Sequence, residues 1–355
     1  MKKNYLLLLL MFAGYILSAQ IPPGYYDPAT GLSGTALQQA LHNIIKDHDT
    51  ETYNQLWSDF ASTDKKANGK VWDMYSDVPG GTPPYEYTFF SNQCGNYSGE
   101  GDCYNREHSF PKSWFGGTVY PMYSDLFHLY PTDGYVNSRR SNYPYGEVNN
   151  ASWTSMNGCK VGDNTYPGYS GTVFEPIDDY KGDFARTYFY MATRYLGEDN
   201  GWPGSAMVNG SQPKEWALNM LYEWHNNDPV SEKETERNDA VYDIQNNRNP
   251  FIDHPEYVGM IWFNTSTADV LTDRTDFSVF PNPVTDKINI KMTEKASEGT
   301  TTVTICGETG WSIYTASFSD ENPITVDASD LPKGFYLLIV TKSNNRYPVT
   351  FKFVK

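Results

Sequence analysis

The sequence predicts an α+β protein, with a mainly helical body followed by a small C-terminal β-sandwich. Three observations predict this. Apolar residues recur at helical spacing in five segments before residue 250. They alternate in short runs after residue 276. Between the early and late helices, residues 91–150 are rich in Gly, Pro, Asn and Tyr and show little helical periodicity. At 355 residues the chain is too long for one small core and suits two domains with extras.

Residues 1–19 read as a signal peptide: Lys2 and Lys3, an apolar run from Tyr5 to Leu17, then small residues that place cleavage after Ala19. The run is short for a membrane anchor, and no later stretch is apolar enough to span, so the mature protein is expected outside the cytoplasm without a transmembrane segment. The body is expected over 20–263. Its first helix covers 34–47, with Leu37, Leu41, Ile44 and Ile45 on one face; a second covers 50–61, with Leu56, Trp57 and Phe60 inward. Residues 71–76 and 85–90 alternate around Pro79-Gly80-Gly81 and predict paired strands. Helices follow at 181–195, 213–226 and 232–247. Ser231 and Glu234 form a capping box before the last, and Asn249-Pro250 ends it. A linker at 264–275 leads to 276–355, where 286–291, 301–305 and 335–340 are short strands between Asn, Gly and Pro turns.

Four cysteines are present. Cys94 and Cys103 flank a flexible loop and are the favoured disulfide; Cys159 and Cys306 fall in different domains and are expected as free thiols. No CxxC or HxxxH spacing implies zinc. The net charge of −16 is unusual for a protein that meets nucleic acid. Residues 20–275 hold 17 Lys/Arg against 34 Asp/Glu, whereas 276–355 hold 8 against 9. Yet Arg106, Lys112, Arg139 and Arg140 cluster together, as a basic cleft on an acidic body that binds phosphate weakly and in a salt-dependent way.

The chemistry concentrates in Asn105-Arg106-Glu107-His108-Ser109-Phe110-Pro111 and Val136-Asn137-Ser138-Arg139-Arg140-Ser141-Asn142. One carboxylate (Glu107) and one amide oxygen (Asn137) suit a hard divalent ion that keeps several waters. His108 has the ordinary pKa range of a general base near neutrality. Arg140 or Arg186 would neutralise charge on phosphoryl oxygens. Adjacent residues on a strand point to opposite faces, so Glu107 and His108 serve one site only where the strand ends or bends, or from opposite sides of the phosphate. Each feature alone has a bland reading: Glu-His as a surface pair, Asn137 as a cap, Arg139-Arg140 as solvated, His128 as a buried structural histidine.

Taken together with Asp125-Leu126-Phe127-His128-Leu129-Tyr130-Pro131, Lys181–Met191 and Ile244–Phe251, these motifs closely resemble the bacterial endonuclease I family over roughly residues 22–260. The resemblance implies a His-Me finger (ββα-metal) nuclease. It implies Glu107 and Asn137 as ligands of Mg2+, with Mn2+ or Ca2+ as alternatives, and His108 as general base. Arg106, Lys112, Arg139 and Asn142 are then the substrate-binding candidates, and DNA, with RNA as a further candidate, the substrate. The family places a phosphate-stabilising arginine between the two motifs. Residues 113–124 contain no Lys or Arg, so that role passes to Lys112, Arg140 or Arg186.

Phe280-Pro281-Asn282-Pro283-Val284, Gly307–Gly310 and Leu331-Pro332-Lys333-Gly334-Phe335-Tyr336 resemble the sorting domain of the type IX secretion system. This implies passage through the periplasm to the cell surface or medium with that machinery as partner. The rival from another class is a noncatalytic secreted binding protein on a nuclease scaffold. A metalloprotease lacks the second histidine at helical spacing.

Overall fold

The computed structural model describes residues 21–263, 277–292, 300–307, 312–319, 321–342 and 349–355. The predicted signal peptide and the 264–275 linker lie outside the described residues. The chain divides into two compact units between Phe263 and Asn264.

The first unit begins with α1 (Gly34–Ile45) and α2 (Leu56–Thr63). Leu37, Leu41 and Ile45 bury one stripe of α1, as their spacing requires. The second helix starts six residues later than predicted. The Gln55 amide instead donates to both Thr52 O and Thr52 Oγ1, a local turn that competes with helix. The predicted paired strands at 71–76 and 85–90 do not form. Asp73 Oδ1 accepts from the Tyr75 amide, and Ser76 and Asp77 donate to Asp73 O, so the backbone curls at Asp73; Val71 N to Tyr87 O is the rung that remains.

The antiparallel pair β1 (Tyr104–His108) and β2 (Leu129–Asp133) follows, and α3 (Gly134–Arg140) leaves β2 without a linker. The strands β3 (Ala151–Thr154), β4 (Lys160–Asp163) and β5 (Thr172–Glu175) make an antiparallel sheet. Next comes α4 (Lys181–Arg194), all fourteen of whose residues are buried. A helix sealed on every side must pair its polar groups. Asp183 meets Lys233, Arg186 meets Glu234, and Thr187 meets Tyr130. A small ribbon, β6 (Val208–Asn209) and β7 (Gln212–Pro213), precedes α5 (Glu215–Asn227) and α6 (Glu232–Gln245). The Ser231–Glu234 capping box is present. Asn246, in the left-handed region at φ 57°, caps the end of α6. Asn249 instead opens α7 (Pro250–Asp253), and α8 (Glu256–Trp262) closes the unit.

The Gly- and Pro-rich segment 91–150 is not the poor core its composition suggests. Phe110, Trp114, Phe115, Leu126, Phe127, Leu129 and Val136 all join the main core. Cys94 and Cys103 are bonded, with Cα atoms 5.7 Å apart, and Cys159 and Cys306 are free and buried.

The second unit has two antiparallel sheets. One runs β11 (Ser312–Ser319), β10 (Thr300–Cys306), β13 (Phe335–Lys342), β14 (Val349–Val354). The other runs β12 (Ile324–Asp327), β9 (Lys287–Met292), β8 (Phe277–Phe280). Alternate residues of both, among them Ile288, Ile290, Val303, Ile305, Val326 and Leu338, form one apolar core.

Candidate active site

The site is built on β1. Its register against β2 is regular from Tyr104↔Asp133 to His108↔Leu129, so side chains alternate strictly between two faces. Asn105 and Glu107 lie on one face, and Arg106 and His108 on the other. No bulge turns Glu107 and His108 to the same side.

The first face is covered by α3. Asp133 caps that helix: its Oδ1 accepts from Val136 N at 2.8 Å, and its own amide donates to Asp73 Oδ2 at 2.9 Å. Asn137 and Arg140, three residues apart, therefore both reach β1. Asn137 Nδ2 donates to Asn105 Oδ1 at 2.8 Å. Arg140 Nη1 donates to Glu107 Oε1 at 3.1 Å and to His108 O at 3.0 Å, and Nη2 donates to Ser109 O at 2.6 Å. The Tyr75 hydroxyl donates to the same Glu107 Oε1 at 3.0 Å.

Glu107 is only 3% exposed. Burial pushes its carboxyl above the ordinary range, against the pull of the Arg140 guanidinium and the Tyr75 hydroxyl. Both of its hydrogen bonds fall on Oε1, leaving Oε2 for another partner. Likewise the Asn137 amide is fixed through Nδ2, leaving Oδ1. Two hard oxygens of low total charge fit a divalent ion that completes its shell with water and phosphate. Among the described residues, no group of three or more His, Cys, Asp or Glu gathers as a metal site.

The second face is aromatic. His108 stacks at 17° on both Tyr123 (5.3 Å) and Tyr53 (5.8 Å), and lies 5.5 Å from the His128 ring. Its Nε2 lies 3.2 Å from Tyr123 O. A carbonyl only accepts, so Nε2 carries the proton and Nδ1 the lone pair. Burial, then the neighbouring His128, Lys112 and Arg106, hold the imidazole well below its ordinary pKa, against the contact to Tyr123 O. The ring is therefore neutral, and its basic atom is Nδ1.

Arg106 donates to Tyr53 O at 2.6 Å, with its guanidinium 3.7 Å from the Tyr53 ring centre and 4.3 Å from that of Trp57. Lys112 is exposed, its Nζ 5.7 Å from the Tyr123 ring. Arg139 and Asn142 are exposed around the end of α3, with Arg139 5.3 Å from the Trp153 ring. His128 is fully buried, with Nε2 2.6 Å from Met122 O, a structural placement.

Both arginines expected to meet phosphate are buried. Arg140 is 1% exposed; its Nη atoms donate to Glu107 and to the carbonyls of His108 and Ser109, and its Nε has no hydrogen-bond partner among the described residues. Arg186 is fully buried on α4, held by Glu234, the Asp228 carbonyl and His225. It shares no partner with Glu107 or His108. Lys112 and Arg106 are cations on the imidazole side, Arg106 engaged with Tyr53 O and the Tyr53 and Trp57 rings. Tyr53, Tyr75, Asn105 and Tyr123 were not singled out in the sequence. Only Asn105, two residues from Glu107 on a strand, carried a period-two signal that would have found it.

Comparison with known proteins gives this geometry a context. Residues 33–256 match the family model Endonuclease I, and residues 278–355 match the model for a secretion system C-terminal sorting domain. An extracellular ribonuclease of Bacillus amyloliquefaciens is 39% identical over 251 residues, covering 67% of this chain and 78% of the relative. One from Bacillus subtilis (strain 168) is 35% identical over 249 residues, with the same coverages. An Endonuclease-1 of Buchnera aphidicola is 30% identical over 129 residues, covering 36% of this chain and 44% of the relative. These findings and the sorting domain define a secreted nuclease. The chain belongs to the endonuclease I family. No helix among the described residues is long and apolar enough to cross a membrane.

Proposed function

We propose that this protein is a metal-dependent endonuclease of the His-Me finger type that hydrolyses phosphodiester bonds in DNA and RNA without strong sequence preference. One observation carries the reading. The β1–β2–α3 unit sets two oxygen donors, Glu107 Oε2 and Asn137 Oδ1, against one face of the strand whose other face presents a neutral imidazole. A water poised beside His108 gives its proton to Nδ1 as its oxygen attacks phosphorus, and the P–O3′ bond opposite breaks. Glu107 and Asn137 would hold Mg2+, with Mn2+ or Ca2+ as alternatives. When bound, the ion neutralises charge on the scissile phosphate and the departing oxygen. Lys112 and Arg106 hold the phosphate chain on the imidazole side, while Arg139 and Asn142 meet the strand beyond α3. That two relatives are named extracellular ribonucleases favours RNA among the substrates.

A plasmid and a structured RNA, each with Mg2+ or with EDTA, test the reading. Both should be degraded with metal and survive in EDTA. His108→Ala should lower cleavage by at least about a hundredfold with thermal unfolding nearly unchanged. Glu107→Gln, which keeps an acceptor for Arg140 and Tyr75, should do the same without stranding the buried guanidinium. Intact substrates with folded, metal-replete protein, or loss of activity only in step with loss of folding, would overturn it.

A further inference from the structure

The loop between the two motifs carries aromatic rings and no cations, and this bears on what the enzyme grips. Residues 113–124 hold Trp114, Phe115, Tyr120 and Tyr123 and no Lys or Arg. Trp114 and Phe115 are buried in the core. Tyr123 lies in the His108 stack, 4.2 Å and 22° from Tyr53. Tyr120 stands edge-on to Tyr123, 5.6 Å away at 89°, and is 49% exposed. Its hydroxyl accepts from the Tyr53 amide at 3.4 Å, and its edge-on packing against Tyr123 holds the ring beside the stack. The faces of Tyr53 are engaged by Arg106 and Tyr123. Tyr120 is thus an anchored, half-open ring one side chain away from the imidazole, with Lys112 on the same Tyr123 neighbour.

A duplex offers such a ring no base faces, because its bases are stacked on one another. An unpaired strand does, and stacking a base on an aromatic ring is strong and tolerant of sequence. The charge balance points the same way: an acidic body gains little from the dense charge of a duplex and depends more on contacts that salt does not screen. We infer that Tyr120 is a base-stacking platform for an unpaired nucleotide flanking the scissile phosphate, and that it makes single-stranded nucleic acid the preferred substrate. This deepens the nuclease reading and rests on it for the place of the phosphate.

The test is binding, read by fluorescence anisotropy in EDTA so that nothing is cut. The probes are a 12-mer RNA, the same sequence in DNA, the DNA duplex, and the DNA strand made abasic at its central nucleotides. Wild-type protein should bind both single strands more tightly than the duplex. Tyr120→Leu should weaken single-strand binding about tenfold and the duplex much less, so that the ratio falls. Tyr120→Phe should keep the ratio. The abasic lesion should weaken wild-type binding and cost little further in Tyr120→Leu. Duplex binding equal to or tighter than single-strand binding would overturn the inference. So would equal losses on both substrates, or an abasic penalty that survives in Tyr120→Leu. Metal-replete cleavage of the same probes separates the two readings. The expected binding pattern without cleavage sinks the nuclease, and cleavage without that pattern sinks the platform.

Discussion

The two faces of β1 differ in kind. Toward α3 stand two hydrogen-bonded pairs, Asn137 with Asn105 and Arg140 with Glu107, the second almost fully buried. Away from it, Arg106 and His108 sit among the Tyr53, Tyr123 and Trp57 rings, with the exposed Lys112 and Tyr120 nearby. The first face is organised to hold a carboxylate still. The second buries an imidazole among rings and holds its pKa well below the ordinary range. A five-residue strand separates these tasks because its side chains alternate. Neighbours in sequence thereby come to opposite faces of β1.

The sharpest way to break this division is to remove the residue that ties the faces together. Arg140 bonds the Glu107 carboxylate and the carbonyls of His108 and Ser109. Arg140→Ala leaves a buried carboxylate without its counter-charge and should cost about 3–5 kcal/mol in denaturant unfolding. A change within 1 kcal/mol, with activity lost, would return Arg140 to direct phosphate contact. On the open face the effects should be smaller. Lys112→Ala should weaken nucleic-acid binding a few-fold and reduce the slope of log affinity against log salt by about one. An unchanged slope would remove Lys112 from the phosphate path.

The smallest effect concerns the support beneath α3. Burial and the adjacent Asp133 raise the Asp73 carboxyl to about 7, although backbone and side-chain donors oppose them. In the unfolded chain it titrates near 4. As pH falls from 8 to 6.5 the folded state takes up this proton and the unfolded state does not, so stability rises. The gain should be about 1 kcal/mol, or about 2–4 °C in melting temperature for a unit of this size. His48, His108, His128 and His225 are held below their ordinary pKa and act in the opposite sense over this interval. The gain is therefore read as the difference in pH response between wild type and Asp73→Asn, and identical responses would contradict the assignment.

Much of this was legible in the sequence. Helix α1 follows from apolar spacing, and Ser231 and Glu234 make the capping box that their types announce at the start of α6. The Cys94–Cys103 bond follows from two cysteines around a flexible loop. What escaped had tertiary causes. Asp73 reads as one polar position in an alternating run, yet its carboxylate and carbonyl bend the chain. Arg140 and Arg186 read as phosphate-neutralising cations, because burying an arginine requires partners up to 48 residues away that no local pattern reveals. The His108 stack depends on Tyr53, which a Thr52 turn places far upstream in the chain.

The central claim, that β1 keeps a metal-holding face apart from a base face, is tested most directly by Mn2+ titration followed by electron paramagnetic resonance, with nucleic-acid cleavage measured on the same samples. His108→Ala should bind Mn2+ as wild type does and cleave nothing, whereas Glu107→Ala should lose the bound-ion signal. A His108→Ala protein that no longer binds Mn2+, or a Glu107→Ala protein that still does, would contradict the account.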